Sequence, residues 1–197
     1  MSAEELKTLS NIRQVADIFK KVHRSNVDTK VPFEVFDMAT GYEDIIKEKQ
    51  VPVYHDYVRV KDEVMRIKHI TDEECEIKKV PCHNDPLCEN WVKSGKMYLI
   101  DWEYAGMNDG MWDLADISIE AKYDAALDEQ LLEAYFEREI DVNDRKHFLA
   151  AKIYVDYLWT LWAKARVPYD GQSMKDWALE RYTRLKRNLV EYQRASL

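Results

Sequence analysis

The sequence predicts a mostly α-helical domain built around one small β-hairpin. Three observations carry that expectation. Apolar residues recur at helical spacing over long stretches on both sides of the chain's middle. A single apolar run, Met97–Ile100, reads as a buried strand and is preceded by a Ser94-Gly95-Lys96 turn. With five Gly and five Pro in 197 residues, the chain has few of the breakers that a loop-rich fold requires. Hydrophobic residues at 46% and charged residues at 34% describe an ordinary globular composition, enough for one domain over residues 1–197 with a real core.

The elements follow in order. From Asn11 to His23, residues Ile12, Val15, Phe19 and Val22 form one helix face, with Ser10 or Asn11 placed to cap it. A short helix fits Gly41 to Gln50 with Ile45 and Ile46 inward, and another fits Tyr54 to Ile67, using Tyr57, Val58, Met65 and similar positions as its apolar face. Glu76 to Val80 reads as a short strand stopping at Pro81; Trp91–Val92 and Met97–Ile100 make the hairpin. Helices are then expected from Trp112 to Lys122 and from Asp128 to Arg138. A long one, capped by Asn143 or Asp144, runs through Lys164 with Phe148, Ala151, Val155, Leu158, Trp159 and Trp162 on its apolar side. Pro168 and Gly171 break the chain, and Ser173 to Arg194 forms a last helix, whose Arg181, Arg184, Lys186 and Arg187 read as a solvated face. No repeat or low-complexity linker interrupts the chain.

Charge narrows the function. A formal net charge of −8 disfavours nucleic acid, whose binding relies on Lys and Arg neutralising phosphates, and is compatible with a small cationic substrate. Met1 to Ser10 lacks the basic start and apolar run of a signal peptide, and no window is apolar for long enough to span a bilayer. Cys75, Cys82 and Cys88 are odd in number and form no C-x-x-C, which points to a reducing cytoplasm.

The chemistry sits in two short segments. His83-Asn84-Asp85-Pro86-Leu87-Cys88-Glu89-Asn90 matches H-x-D-x-x-x-x-N, the catalytic-loop spacing of kinases. Ile100-Asp101-Trp102-Glu103, at the end of the apolar strand, occupies the place of the kinase metal-binding D-F-G, with Glu where Gly would be. Phosphoryl transfer needs an acceptor for the hydroxyl proton, a role open to Asp85, with His83 ordering the loop. It also needs magnesium, for which Asn90 and Asp101 offer hard oxygen ligands. A hairpin between positions 90 and 101 brings the two onto one site. A purely structural reading, and a metal cluster of Cys82, His83, Asp85 and Cys88, are the alternatives; the latter spacing fits no standard zinc pattern.

With those motifs in hand, the chain resembles the choline/ethanolamine kinase family, notably its bacterial LicA-type branch, within the wider superfamily of aminoglycoside phosphotransferases and protein kinases. The likeness runs through Ile100-Asp101-Trp102-Glu103-Tyr104-Ala105-Gly106-Met107-Asn108-Asp109, through Trp112-Asp113-Leu114-Ala115-Asp116-Ile117-Ser118-Ile119-Glu120, and through the helix Val15–His23. It implies the C-terminal lobe of a protein-kinase-like fold. By resemblance, Asp85 is the catalytic base, Asn90 and Asp101 bind Mg2+ for ATP, and Glu103 supports the metal site. Glu120, Trp159 and Trp162, with Tyr123 beside them, enclose a quaternary ammonium. Aromatic faces and one carboxylate suit such a cation, which donates no ordinary hydrogen bond. Trp159 and Trp162 share a helix face and, read from the residues alone, serve equally well as core.

The departure from the family lies upstream. Only Met1 to Ser10 precede the first helix, no glycine occurs before Gly41, and no strand lysine can be assigned. The β-rich N-terminal lobe is therefore expected to be absent. Two functions follow: an Mg-ATP-dependent kinase of choline, ethanolamine or a related amino alcohol, with the missing lobe supplied by another chain or by self-association; or a truncated or split-gene lobe that binds choline and turns over little. An aminoglycoside-type phosphotransferase is a third reading, one that would need a wide acidic acceptor site.

Overall fold

The computed structural model describes residues 1–195. In chain order the elements are α1 (Ala3–Leu6), α2 (Leu9–His23), α3 (Val35–Glu48), α4 (Tyr57–Glu74), β1 (Lys79–Cys82), β2 (Trp91–Ser94), β3 (Lys96–Leu99), β4 (Gly106–Asp109), α5 (Gly110–Glu120), α6 (Ala125–Phe136), α7 (Val142–Asp170) and α8 (Gln172–Ala195), with one 3-10 turn at Cys88–Asn90. They divide into two compact units, Met1–Phe33 with Ile77–Phe148, and Glu34–Glu76 with the chain from Leu149 onward. No described helix is long and apolar enough to cross a membrane.

In the first unit, α5 is the centre. Every residue from Gly110 to Ile119 is buried, because the helix is apolar nearly all round and is packed by α2, α6 and β1. Helix α2 is capped by Thr8, whose side chain accepts the Asn11 N–H, and buries Ile12, Val15, Ala16 and Phe19. The cap thus lies just upstream of the Ser10 or Asn11 expected from sequence. Phe19 meets the fully buried Trp91 edge-on at 5.4 Å.

Two small antiparallel sheets flank these helices. The expected hairpin is β2–β3, with Ser94 opposite Lys96 and Gly95 at φ +71° in the turn. The second sheet differs from expectation. The first strand runs through Pro81 to Cys82, and it pairs with β4, a strand the sequence does not announce. Gly-Met-Asn-Asp has neither apolar alternation nor β-branched residues, yet Gly106 and Asn108 face inward. Pro81 is tolerated because β1 has only β4 as a ladder partner, leaving its other edge unpaired.

In the second unit, α3 begins at Val35, upstream of Gly41, which sits mid-helix and exposed. Val35, Ala39 and Ile46 are buried; Ile45, expected inward, is not. Helix α4 buries Tyr57, Val60, Val64, Ile67 and Thr71, while Val58 and Met65 face out, so only Tyr57 of the expected inward set is in the core. Helix α7 continues through Pro168 to Asp170. The proline falls in the exposed last turn, where the carbonyl it leaves unbonded can be met by water, and the break comes at Gly171, φ +69°.

The basic run on α8 corrects the solvated reading. Arg184 forms 2.9 and 2.6 Å bonds with the fully buried Asp156, and the buried Arg181 lies 3.5 Å from the same carboxylate. Lys186 binds Asp56 at 2.8 Å, and the Tyr182 hydroxyl donates to Asp56 at 2.9 Å. Of the four basic residues, Arg187 is the one that is exposed.

Two outcomes follow from this packing. A Cβ on Gly106 would lie 2.9 Å from the backbone oxygen of Val31, which cannot move aside, so Gly106→Ala should destabilise by about 1–3 kcal/mol in urea denaturation. The Lys186 ammonium, helped by the Tyr182 hydroxyl, lowers the Asp56 pKa from 3.8 to about 2. A carboxylate with a depressed folded pKa contributes stability above its unfolded pKa and loses it as pH falls through the folded one. Stability should therefore drop between pH 3.8 and about 2 through this group, and Asp56→Asn should flatten that part of the acid limb.

Candidate active site

The end of β1 delivers His83 into the core, fully buried. Its Nε2 faces the Ile100 carbonyl at 2.9 Å, and its Nδ1 lies 3.3 Å from the Asp85 N–H. A carbonyl can only accept and an N–H can only donate, so the proton sits on Nε2 and Nδ1 is the acceptor. Both ring nitrogens are committed to backbone. The imidazole joins the 83–90 loop to the residue before Asp101, and its ring meets Trp102 edge-on at 4.7 Å.

The loop closes on itself around Asp85. The Asp85 carbonyl accepts from the Leu87 N–H at 2.8 Å and from Asn90 Nδ2 at 3.0 Å. Trp91 Nε1 donates to the Pro86 carbonyl at 3.2 Å, pinning the middle of the loop to the core. The Asn90 backbone oxygen in turn accepts from the Ile100 N–H at 2.9 Å. The hairpin therefore returns the chain from Asn90 to Asp101, as the motif spacing requires.

Beneath the loop lies a buried carboxylate that the motif does not include. Asp113, fully buried on α5, accepts from the His83 N–H at 2.8 Å, from the Asn84 N–H at 2.7 Å and from His23 Nε2 at 3.0 Å. His23 Nδ1 lies 2.8 Å from the Tyr135 hydroxyl. The Cys82 thiol belongs to the same cluster, with sulfur, nitrogen and oxygen donor atoms of Cys82, His23 and Asp113 within 4.8 Å of one another. Burial, then the charges of Asp113 and Asp109, push its pKa well up, so it stays a thiol facing the Asn108 carbonyl at 3.6 Å.

The donor set fits a hard cation. Because Asn90 Nδ2 is used on the Asp85 carbonyl, the amide is oriented and its oxygen remains as the acceptor. Asp101 is exposed, at φ +63°, and its carboxylate has no protein hydrogen bond among the described residues. An amide oxygen and a carboxylate are ligands of magnesium type, and the nearby His83 imidazole has both nitrogens committed to backbone. Glu103 is exposed one turn further on, where the Ala105 N–H donates to the Trp102 carbonyl at 3.1 Å. Tyr98, Ile100 and Trp102 are also exposed, giving an apolar surface beside Asp101.

The remaining expected residues fall in both units. In the first, Glu120 ends α5 half-buried, and its charge adds to burial in raising the Cys88 thiol to about 11. Tyr123 is buried, with its hydroxyl donating to the Leu6 carbonyl at 2.9 Å, so the phenol is engaged structurally. In the second unit, Trp159 is buried and Trp162 half-buried on α7, edge-on to each other at 6.1 Å. Trp162 also meets Trp177 of α8 at 5.7 Å, and the Arg181 guanidinium lies 4.0 Å from the Trp177 ring centre. Trp177 was not among the expected residues.

Residues 1–170 match the choline/ethanolamine kinase family. The chain belongs to the choline/ethanolamine kinase family. Its relatives include the LicA protein of Haemophilus influenzae, 27% identical over 192 residues that make up 92% of this chain and 70% of that one. A solved choline/ethanolamine kinase family protein from Mesorhizobium loti superposes with a TM-score of 0.91 at 33% identity, covering 99% of this chain and 68% of the other. The choline kinase LicA from Streptococcus pneumoniae gives 0.85 at 28%, covering 98% and 66%. The chain thus spans about two thirds of the length of the solved family members it matches.

Within this kinase family fold, the H-x-D-x-x-x-x-N loop and the Ile100–Glu103 segment were visible as motifs, whereas Asp113 and His23 were visible only as parts of a longer likeness. The available signal for Asp113 was an acid inside the largely apolar Gly110–Ile119 stretch, which also holds Asp116, where an ionised side chain needs partners. Asp113→Asn replaces one accepting oxygen by a donor facing an N–H. It should cost about 3 kcal/mol in urea denaturation and speed amide exchange at His83 and Asn84.

Proposed function

We propose that this chain is the catalytic-loop lobe of an ATP-dependent phosphotransferase that moves the γ-phosphate to the hydroxyl of choline or a related amino alcohol. The observation that supports it best is the His83–Ile100 hydrogen bond, which holds the Asp85 loop against the segment carrying Asp101. Asp85 accepts the proton of the substrate hydroxyl as its oxygen attacks the γ-phosphorus, and ADP is the leaving group. Asn90 and Asp101 hold Mg2+, with Glu103 in support, and the ion when bound neutralises the phosphate charge. His83 orients the loop rather than exchanging protons. The exposed Tyr98, Ile100 and Trp102 offer an apolar surface suited to the flat base of the nucleotide.

For the acceptor, Glu120, Trp159 and Trp162 supply the carboxylate and rings a trimethylammonium needs, with Tyr123 contributing its ring alone. The Arg181–Trp177 contact supports this assignment, since the same cluster already holds one cation against an indole face. The relatives' extra third is where we assign the β-rich nucleotide grip, so turnover depends on such a lobe being present in the same chain or supplied by another. A second reading is a lobe that binds the amino alcohol without turning it over. Cys75, Cys82 and Cys88, none of them in a disulfide among the described residues, fit a reducing compartment, and we assign the chain to the cytoplasm.

The test is ADP release from Mg-ATP with choline, ethanolamine or an aminoglycoside supplied, alongside calorimetric titration of choline. Choline-dependent release should fall at least a hundredfold in Asp85→Asn, and Trp159→Ala or Trp162→Ala should weaken choline binding about tenfold with the fold retained. Choline binding without release supports the second reading. Release that is undiminished in Asp85→Asn removes Asp85 as the base, and release with the aminoglycoside alone overturns the amino-alcohol assignment.

A further inference from the structure

The motif H-x-D leaves its middle position open, and that position carries a dense set of hydrogen bonds. Asn84 is fully buried and at φ +69°, a conformation that Asn tolerates better than most residues with a side chain. Its backbone is held from below: the N–H donates to Asp113 at 2.7 Å, and the carbonyl accepts from Trp112 Nε1 at 3.0 Å. Its side chain points the other way, into the segment that follows Asp101. Nδ2 donates to the Tyr104 carbonyl at 3.0 Å, with the Gly106 and Cys82 carbonyls at 3.5 Å.

The direction of this chain of bonds is fixed. The Asp109 N–H donates to Asn108 Oδ1 at 2.8 Å, so Asn108 presents its NH2 to Asn84 Oδ1 at 2.9 Å. Asn84 must then present its own NH2 to a carbonyl, and Tyr104 supplies it. One amide thus ties together Asn108 of β4, the 83–90 loop and the segment that follows Asp101. A residue at this position must tolerate positive φ, be short, and carry both a donor and an acceptor. Glycine meets the first two demands, aspartate lacks the donor, and asparagine meets all three.

We propose that Asn84 is a positioning residue that sets Asp101 relative to Asp85 by clamping residues 104–108 to the catalytic loop. The inference rests on the reading of Asn90 and Asp101 as metal ligands given above. The Asp101 backbone is itself in the left-handed region and its side chain makes no protein hydrogen bond among the described residues, so its placement depends on what holds the flanking segments. His83 holds the N-terminal flank through Ile100; Asn84 holds the C-terminal flank through Tyr104. Groups that orient metal ligands without touching the ion typically change metal affinity by about 10–100-fold when removed.

The experiment measures Mn2+ binding to the purified chain from the loss of the free-ion EPR signal, at a temperature where circular dichroism shows each variant folded. Four variants are compared with the parent: Asp101→Asn, Asn84→Gly, Asn84→Asp and Leu185→Ala. Leu185 is fully buried on α8 in the other unit, so its truncation lowers stability without touching either loop. Binding should be lost in Asp101→Asn, weakened about tenfold in both Asn84 variants, and unchanged in Leu185→Ala. Parental affinity in folded Asn84→Gly overturns the clamp while leaving the metal site in place. Binding that survives Asp101→Asn overturns the metal-site reading instead. If neither Asn84 variant folds, the residue serves stability alone, and the positioning role is wrong.

Discussion

The first unit depends on one buried carboxylate. Asp113 is surrounded by three donors from two separate segments, α2 through His23 and the 83–90 loop through the His83 and Asn84 amides. A charge fully removed from water is tolerable only when it is hydrogen-bonded, and here the partners include the backbone amides of the loop proposed to be catalytic. The helix that carries it, α5, is largely apolar and buried from Gly110 to Ile119, so it cannot rotate to relieve the carboxylate without exposing its hydrophobic faces. The acid is thereby a fixed reference point, and the loop above it inherits that rigidity.

What the sequence made legible divides along the same line. The helices were readable because apolar spacing repeats, as in Ile12, Val15 and Phe19 of α2; the hairpin was readable because Ser94-Gly95-Lys96 is an explicit turn. Short elements without periodicity were not. β4 is polar in composition and exists because β1 and the Pro32 region lie beside it. Helix α4 shows a subtler failure: Val58 and Met65 are seven apart and share a face, but the buried face is the one bearing Val60, Val64 and Ile67. Apolar spacing identifies a helix more readily than it decides which of two mixed faces turns inward.

Charge was misread for a related reason. The run Arg181, Arg184, Lys186 and Arg187 has the composition of a solvated helix face, but its partners Asp156 and Asp56 lie far away in sequence. Asp156 is an acid inside the apolar side of α7, as Asp113 is inside α5, and both turn out to be fully buried ion-pairing or hydrogen-bonding centres. An isolated acid within an apolar helical stretch is therefore the more informative sequence signal, because burial obliges it to find partners, whereas exposed bases need none.

The loops proposed to carry the chemistry bear a conformational cost that the rest of the fold offsets. Asn84 and Asp101 are both non-glycine residues in the left-handed region, at φ +69° and +63°. Each such residue costs on the order of 1 kcal/mol or more and persists only where surrounding contacts over-determine it. For Asn84 those contacts are explicit on every polar atom. For Asp101 they lie on its neighbours, through His83 to Ile100 on one side and through Asn84 to Tyr104 on the other. The carboxylate has no protein partner of its own among the described residues, which suits a ligand whose proposed partner is a cation, and on that proposal its position is set by residues that never touch the cation. The middle letter of H-x-D is then a constrained position: it must be a residue that can reach both loops while accepting the strain.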